Sequence, residues 1–296
     1  MLLNKPISLS YFINLIKYDA LIIVLYSGIA MVVRHHKYLH SISIPLPVAA
    51  IIGTLISLLL AFRISQSYER WWEARIIWGG IVNESRTLIR QVKQFLPADP
   101  MAKTHMIDFA ERQIIWAFAL GESLRKLPFS QKVTTYLNKH ELQSNNIPNL
   151  LLDKHSEQWQ YVSSQYNLDP NKQVQLDSTL VRLTDAMGKC ERIKSTVFPK
   201  SYSVLIRFII YVFLTVFPFG LEEVGDIPEI ILSILIPLLF IMIEQTSVLM
   251  QDPFENRPTD TPVTTIAQTI EINLSEMTSS VMIQKQSPVD SSYYIL

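Results

Sequence analysis

The stretch that decides the fold is an apolar run, Ile44–Phe62, which continues without interruption into Arg63-Ile-Ser-Gln-Ser-Tyr-Glu-Arg-Trp-Trp-Glu-Ala-Arg75. A helix needs about twenty apolar residues to cross a bilayer, and this run is close to that length. After the run, no glycine or proline occurs before Gly79, so the helix has no stop signal at the membrane surface. The sequence therefore predicts one long helix that begins in lipid and ends in a soluble domain. Such a helix is typical of a channel or a receptor and not of an ordinary soluble enzyme.

Composition places the chain between a soluble domain and a membrane bundle, with 49% hydrophobic and 18% charged residues. The formal net charge is zero, which gives no reason to expect nucleic acid as a partner. The single cysteine, Cys190, excludes an internal disulfide and is expected to be a buried apolar residue. No phosphate-binding glycine-rich loop, nucleophile elbow or zinc-ligand spacing occurs. We therefore predict neither an enzyme nor a cofactor.

Four apolar segments are predicted to span the membrane: Ala20–Val33, Ile44–Phe62, Val204–Leu221 and Ile227–Ile243. Two ionisable residues accompany the last two segments, Arg207 in the third and Glu244 at the end of the fourth. Ionisable side chains at membrane depth normally face protein and pair with each other. We therefore predict that Glu244 pairs with Arg63 or Arg207, in preference to an ion-binding role.

Basic residues near the span ends predict the orientation. Those that flank the middle of the chain place it in the cytoplasm, and they are Arg63, Arg70, Arg75, Arg192, Lys194 and Lys200. The charged residues of the turn between the third and fourth spans are all acidic, as expected for an outside loop. They are Glu222, Glu223, Asp226 and Glu229. The first outside loop, with Arg34-His-His-Lys37, argues the other way. The longer basic flank predicts a multi-pass inner or plasma membrane protein with both termini in the cytoplasm.

The predicted class is all-α, with four transmembrane helices that continue into a cytosolic helical domain. Helical periodicity in the middle of the chain is clearest over Val82–Phe95, His105–Leu127 and Val174–Lys194. Residue types typical of loops predict two connections, Asn138–Pro148 and Asn167–Asn171. We expect spans one and two in residues 1–80, the cytosolic domain in 81–200 and spans three and four in 201–250. Residues 251–296 should form a stiff strap, Gln251–Pro262, then an amphipathic piece, Pro262–Met277, and a flexible tail.

Three motifs in this order resemble the bestrophin family, and its prokaryotic branch in particular. They are Tyr68-Glu-Arg-Trp-Trp-Glu-Ala-Arg75 with Trp78-Gly79, Cys190-Glu-Arg-Ile193 with Phe198-Pro199, and Asp252-Pro-Phe254 with Asp260. The similarity extends over roughly residues 5–280. It implies a homopentamer around a central pore, with passive conduction of small monovalent ions. The family default is anion conduction, chloride above all.

The resemblance also implies a hydrophobic pore neck on the second span. Counted back from Arg70, the matching positions are Phe62, Leu58 and Thr54, where Thr54 departs from the bulky apolar residue usual there. Their spacing of four puts them on one helix face. The alternative is ordinary helix packing or lipid contact.

A second constriction, the cytosolic aperture, is implied at Phe198, or at Val197 if the register slips. The alternative is a hydrophobic residue that packs just ahead of a helix opened by Pro199. Further motif residues are expected to have structural or intersubunit roles, and they are Arg70, Trp71, Trp72, Glu73, Arg75, Pro253 and Phe254.

Calcium-gated relatives carry an unbroken acidic run after the Pro-Phe pair, whereas Arg257 interrupts the acids here. Asp252, Glu255 and Asp260 are therefore weak metal candidates, and turn hydrogen bonds explain them equally well. We predict no metal site. The expected partners are permeating inorganic ions, further copies of this chain and the bilayer, but not nucleic acid. Two alternatives stay open: a monovalent cation (sodium or potassium) channel of the same fold, and a membrane-anchored signalling or scaffold protein.

Overall fold

The computed structural model describes residues 9–34, 44–196, 198–221 and 225–279. Over these ranges the chain forms α-helices and one 3-10 turn, without a strand. The helices are α1 (Leu9–Arg34), α2 (Leu46–Phe95), α3 (Pro100–Leu124), α4 (Gln131–Lys139), α5 (Ile147–Gln165), α6 (Pro170–Ser195), α7 (Lys200–Val216), α8 (Asp226–Gln251) and α9 (Val263–Ser279), and the 3-10 turn is Phe217–Gly220. The predicted all-α class is confirmed.

Helix α2 is the long helix that the sequence predicts. It has 50 residues and runs unbroken through Gly79 and Gly80 to Phe95. At a rise of 1.5 Å per residue its length is about 75 Å, more than twice the roughly 30 Å of a bilayer's hydrocarbon core. Only part of α2 can therefore lie in lipid.

The chain divides into two compact units. The first, here called the membrane unit, comprises Pro6–Arg70 and Val197–Gln251, and the second, the helical unit, contains Trp71–Thr196 and the chain from Asp252 onward. Among the described residues, four helices are long and apolar enough to cross a membrane, over Ile13–Val33, Leu46–Phe95, Lys200–Gly220 and Ile227–Gln251. The four predicted spans are thus confirmed. The domain boundaries proposed from the sequence stay a prediction.

The membrane unit has its own apolar core, in which α2 and α7 contribute the most deeply buried side chains. Ile56 and Leu60 of α2 pack with Ile206, Ile210 and Phe213 of α7. A Tyr202 hydroxyl also donates to the Leu59 carbonyl oxygen over 2.8 Å. These contacts fix which face of α2 is turned into the unit.

In the helical unit, three helices begin with an aspartate or asparagine cap and have a proline at their first or second position. Asp99 and Asp169 cap α3 and α6 ahead of Pro100 and Pro170, and Asn146 caps α5. Each side chain accepts a backbone N–H of the first turn, over 2.8 to 3.1 Å. The predicted loop Asn138–Pro148 is too long, because α4 extends to Lys139 and α5 begins at Ile147.

The predicted strap carries one fully buried aromatic residue, Phe254. Its ring is fully buried in the core of the helical unit, together with α3 and α6. The predicted amphipathic piece after the strap is helix α9, which packs its apolar face on α3. Residues 280–296, expected to be flexible, lie outside the described residues. Cys190 is buried as expected, and burial raises the pKa of its thiol to about 12.

His155 on α5 is a buried titratable group in the helical unit. Its ring stacks on Phe109 with 5.3 Å between centroids, and neither ring nitrogen has a hydrogen-bond partner within the described ranges. Burial lowers the pKa of His155 well below 6.5, and the nearby Arg112 guanidinium lowers it further. The folded chain therefore keeps this imidazole neutral.

We expect stability to fall with pH below about 6.5, because the unfolded chain then binds a proton on His155 that the folded chain excludes. The loss can reach about 1.4 kcal/mol per pH unit for this group. His155→Phe keeps a ring against Phe109 and should flatten the pH dependence, whereas His140→Phe at an exposed site should not. Thermal unfolding at pH 7.5 and 5.5 measures this, and equal losses in wild type and His155→Phe would contradict it.

Candidate functional site

The three predicted neck residues lie on the exposed side of α2. Leu58 is 53% and Phe62 58% exposed within the single chain, and Thr54 is also exposed. The opposite side of the same helix is fully buried, at Ile56, Leu60, Arg63 and Ser67. Since consecutive helical residues are about 100° apart, Thr54, Leu58 and Phe62 fall within the exposed half of the helix. One helix face is thus apolar and uncovered.

Thr54 differs from the other two predicted neck residues, Leu58 and Phe62, because its side chain carries a hydroxyl. That hydroxyl donates to the Ala50 carbonyl oxygen over 2.8 Å, one turn earlier in α2. Its donor is therefore satisfied by the helix itself, as is common for helical threonine.

A buried ion pair fixes the inner side of α2. Arg63 Nη1 lies 3.0 Å from Glu244 Oε1, and both side chains are almost fully buried. Arg63 Nη2 also donates to the Ser203 hydroxyl, over 2.9 Å, and Arg207 Nη2 lies 3.4 Å from the other Glu244 oxygen. Both predicted partners of Glu244 are therefore confirmed. Next to it, the Gln245 amide donates to an Asp19 carboxylate oxygen over 3.1 Å.

Phe198, the predicted aperture residue, belongs to the membrane unit. Its ring meets Tyr202 edge to face at 6.0 Å, and the Arg63 guanidinium lies 5.5 Å from its centroid. Phe198 and Phe62 line one groove of about 560 Å³. Tyr202 lies in the first turn of α7. Its contact with Phe198 is the one expected if Phe198 packs just ahead of that helix, which was the alternative role. The aperture stays a prediction, and Val197 lies outside the described residues.

The Arg-Trp-Trp motif has partners within its own chain. Arg70 Nε donates to the Gln251 carbonyl oxygen over 3.0 Å, and Trp71 Nε1 donates to that of Thr259 over 2.9 Å. Glu73 pairs with Arg192 at 2.9 Å. The ring of Trp72 stacks on that of Trp71. The intersubunit roles expected for this motif, Arg75 included, stay a prediction.

The three weak metal candidates are all engaged in local contacts. Asp252 accepts the Phe254 N–H over 3.0 Å and pairs with Lys194 at 2.6 Å. Asp260 accepts the N–H groups of Glu255 and Arg257 through one oxygen, and Glu255 pairs with Arg257. Burial nevertheless raises the pKa of Asp260. Turn hydrogen bonds, the alternative considered from the sequence, engage Asp252 and Asp260, and an ion pair engages Glu255. Over the described ranges, no group of three or more potential ligands could hold a metal.

The acidic outside loop is only partly as predicted. Glu229 lies in the first turn of α8 and is just 2% exposed, so it is a buried residue of the membrane unit. Glu222, Glu223 and the basic Arg34–Lys37 loop, except for the backbone of Arg34, lie outside the described residues.

Comparison with known families decides what this bundle is. The family model for the bacterial and fungal bestrophin protein matches residues 10–276, almost the entire described chain. The chain belongs to the bestrophin family. The resemblance inferred from the Arg-Trp-Trp and Pro-Phe motifs is thereby confirmed.

Other known proteins are similar to this chain in sequence, and a solved structure is similar to it in fold. The voltage-dependent anion channel-forming protein YneE of Escherichia coli K12 is 29% identical over 273 residues, which cover 90% of this chain and 88% of YneE. The protein of the same description from Synechocystis, sll1024, is 28% identical over 80% of this chain and 79% of its own. A bacterial bestrophin homologue from Klebsiella pneumoniae superposes with a TM-score of 0.81 and 26% identity, over 89% of this chain and 98% of that one.

Proposed function

We propose that this bestrophin is a passive channel for small anions, formed by five copies of the chain, with Thr54, Leu58 and Phe62 as its neck. The observation that carries the proposal is the uncovered apolar half of α2 beside a tightly buried half. The relatives named as anion channel-forming proteins support the same activity.

Several copies are needed because one chain offers too few helices to enclose a pore. Four candidate spans, of which α2 alone presents the predicted neck, can pack only as a small bundle around their own core. A ring of identical subunits solves this, since each then supplies one α2 to a common axis. The bestrophin family implies five.

Rings of Leu58 and Phe62 would resist wetting, and such apolar constrictions gate channels by dewetting. A neck of this kind carries no fixed charge, so charge selectivity must arise at the mouths of the pore. We prefer anion conduction because it is the family default and because the relatives are named as anion channel-forming proteins. Conduction of monovalent cations by the same fold is the second candidate, favoured by the acids before α8.

The reversal potential under a NaCl gradient distinguishes the two channel candidates. We expect it near the chloride equilibrium potential for the purified protein in planar bilayers, and a value near that of sodium would make it a cation channel. Light scattering in detergent should give about five times the chain mass of 34.0 kDa. A stable monomer without ion flux in liposomes would overturn the channel proposal in favour of a membrane-anchored scaffold.

Cytosolic calcium is expected to be dispensable for conduction. Calcium requires six to eight oxygen ligands, whereas Asp260 uses one oxygen for two backbone N–H groups and Arg257 places a positive charge beside Glu255. Single-channel recording with calcium chelated on the cytosolic side should show unchanged activity. Activity that disappears with the chelator and returns with micromolar calcium would contradict this prediction.

A further inference from the structure

The uncovered side of α2 continues past the predicted neck and becomes polar. Ser65, Gln66 and Glu69 are all exposed, and they follow Phe62 on that side of the helix. Because consecutive helical residues are about 100° apart, Glu69 lies within about 20° of both Leu58 and Phe62 around the axis of α2. At 1.5 Å per residue it lies roughly 10 Å beyond Phe62, two turns further along the helix. Glu69 is therefore in line with the predicted neck.

Glu69 is the only acid in residues 46–70, the part of α2 that belongs to the membrane unit. The same stretch has two cations, and both are engaged elsewhere. Arg63 is fully buried in its ion pair on the inner side of the helix, and Arg70 Nε donates to the Gln251 carbonyl oxygen over 3.0 Å. Among the described residues, the Glu69 carboxylate has no ion-pair partner. The exposed side of this stretch therefore ends in a negative charge.

A charge at this position acts on ions that the apolar neck cannot distinguish. In the proposed channel each copy supplies one α2 to the common axis, so the carboxylates of Glu69 lie around the pore two turns beyond the neck. Fixed charges at a pore mouth concentrate ions of opposite sign, and rings of aspartate or glutamate serve this purpose in cation channels. On the basis of the proposed channel, we infer that Glu69 is a selectivity residue, which favours monovalent cations over anions at this mouth.

Removal of this charge should make the channel more selective for anions. We expect Glu69→Gln to raise the permeability of chloride relative to sodium by about threefold or more at 0.1 M salt, where the Debye length is about 10 Å. At 1 M salt the Debye length falls to about 3 Å, so charges on the pore wall are largely screened and the same substitution should have a smaller effect. A purely structural role of Glu69 predicts no such dependence on salt.

Gln66 offers a matched variant on the same side of α2. It is exposed, has nearly the shape of a glutamate and lines one groove with Phe62, one turn away. Gln66→Glu should therefore lower the permeability of chloride relative to sodium, and in the Glu69→Gln background it should return the ratio toward the wild-type value. A contact specific to Glu69 would not be restored in this way. Glu141→Gln removes an exposed acid between α4 and α5 and is the control, with an unchanged ratio expected.

The permeability ratio is obtained from the reversal potential of the purified full-length protein and its variants in planar bilayers. Tenfold NaCl gradients are used, with 0.1 M or 1 M salt on the more concentrated side. The expected result is a ratio raised in Glu69→Gln, most strongly at the lower salt, and lowered again when Gln66→Glu is added. An equal change in Glu141→Gln would instead indicate a general effect of surface charge and would overturn the role of Glu69.

Failure of the selectivity role and failure of the channel give different results. Conduction with an unchanged ratio in Glu69→Gln would contradict the role of Glu69 and leave the proposed channel standing. If Glu69→Gln does not assemble, as judged by gel filtration, then Gln66→Glu alone decides, and an unchanged ratio in that variant is the contrary outcome. Absence of current in the wild-type protein would overturn the channel and the selectivity residue together.

Discussion

Leu58→Ala is expected to increase the conductance of reconstituted channels by on the order of tenfold, equivalent to a barrier lowered by about 1.4 kcal/mol. The side chain is 53% exposed at the middle of the uncovered half of α2, between Thr54 and Phe62. In a ring of five copies the substitution replaces five isobutyl groups with methyl groups at one level. The wider and less apolar ring wets more readily, and the cost for an ion to enter falls. Chloride flux from liposomes and single-channel currents in planar bilayers measure the change.

The control for Leu58→Ala is Leu239→Ala on α8. Leu239 is the same residue type in another membrane-spanning helix and is 47% exposed, close to the value for Leu58. A general loosening of the bundle would raise flux in both variants, whereas a neck on α2 predicts an increase for Leu58→Ala alone. Unchanged conductance in both Leu58→Ala and Phe62→Ala would show that the pore is lined by a different helix face.

Glu244→Ala is expected to destabilise the membrane unit by about 3–5 kcal/mol, the usual cost when one partner of a buried ion pair is removed. The variant leaves the Arg63 guanidinium fully buried without its carboxylate partner, with the Ser203 hydroxyl as its remaining hydrogen-bond acceptor in the described ranges. It also removes the nearest acid from Arg207. The thermal midpoint in detergent, followed by circular dichroism, should fall by roughly 5–10 °C.

Two comparisons make the test of Glu244 specific. Glu157→Gln breaks an exposed pair with Lys154 and should change stability by less than about 1 kcal/mol. Arg63→Met combined with Glu244→Leu removes both charges, so we expect it to be more stable than Glu244→Ala alone. If the double variant were the less stable of the two, an uncompensated buried charge would not be the cause of the loss.

The sequence predicts the membrane unit well where strong physical constraints act on it. The apolar length of Ile44–Phe62 and the absence of a break before Gly79 suffice to predict α2. The cost of an isolated acid in lipid suffices to predict a partner for Glu244. The position of Glu229 could not be predicted, because an acid next to Pro228 fits a loop as well as the first turn of a helix.

The helical unit shows a different limit. Helix α4 has only nine residues and buries three side chains, Val133, Tyr136 and Leu137, so its periodic signal is too short to stand out.

The prediction of the neck from sequence has a different limit. The helical repeat places Thr54, Leu58 and Phe62 on one face of α2. What that face contacts depends on neighbouring copies of the chain, and a single sequence does not contain their arrangement.

The buried ion pair between Arg63 and Glu244 also determines when the membrane unit can finish assembling during synthesis. The two residues are 181 positions apart, so α2 leaves the ribosome long before its partner helix α8 exists. At a synthesis rate of about 5–20 residues per second, Arg63 waits roughly 10–35 s for its carboxylate. During that interval the guanidinium can reach water only through its long stem at the end of the apolar run. The assembly of this bundle is therefore completed late, when the last span arrives and neutralises a charge placed in the membrane near the beginning of synthesis.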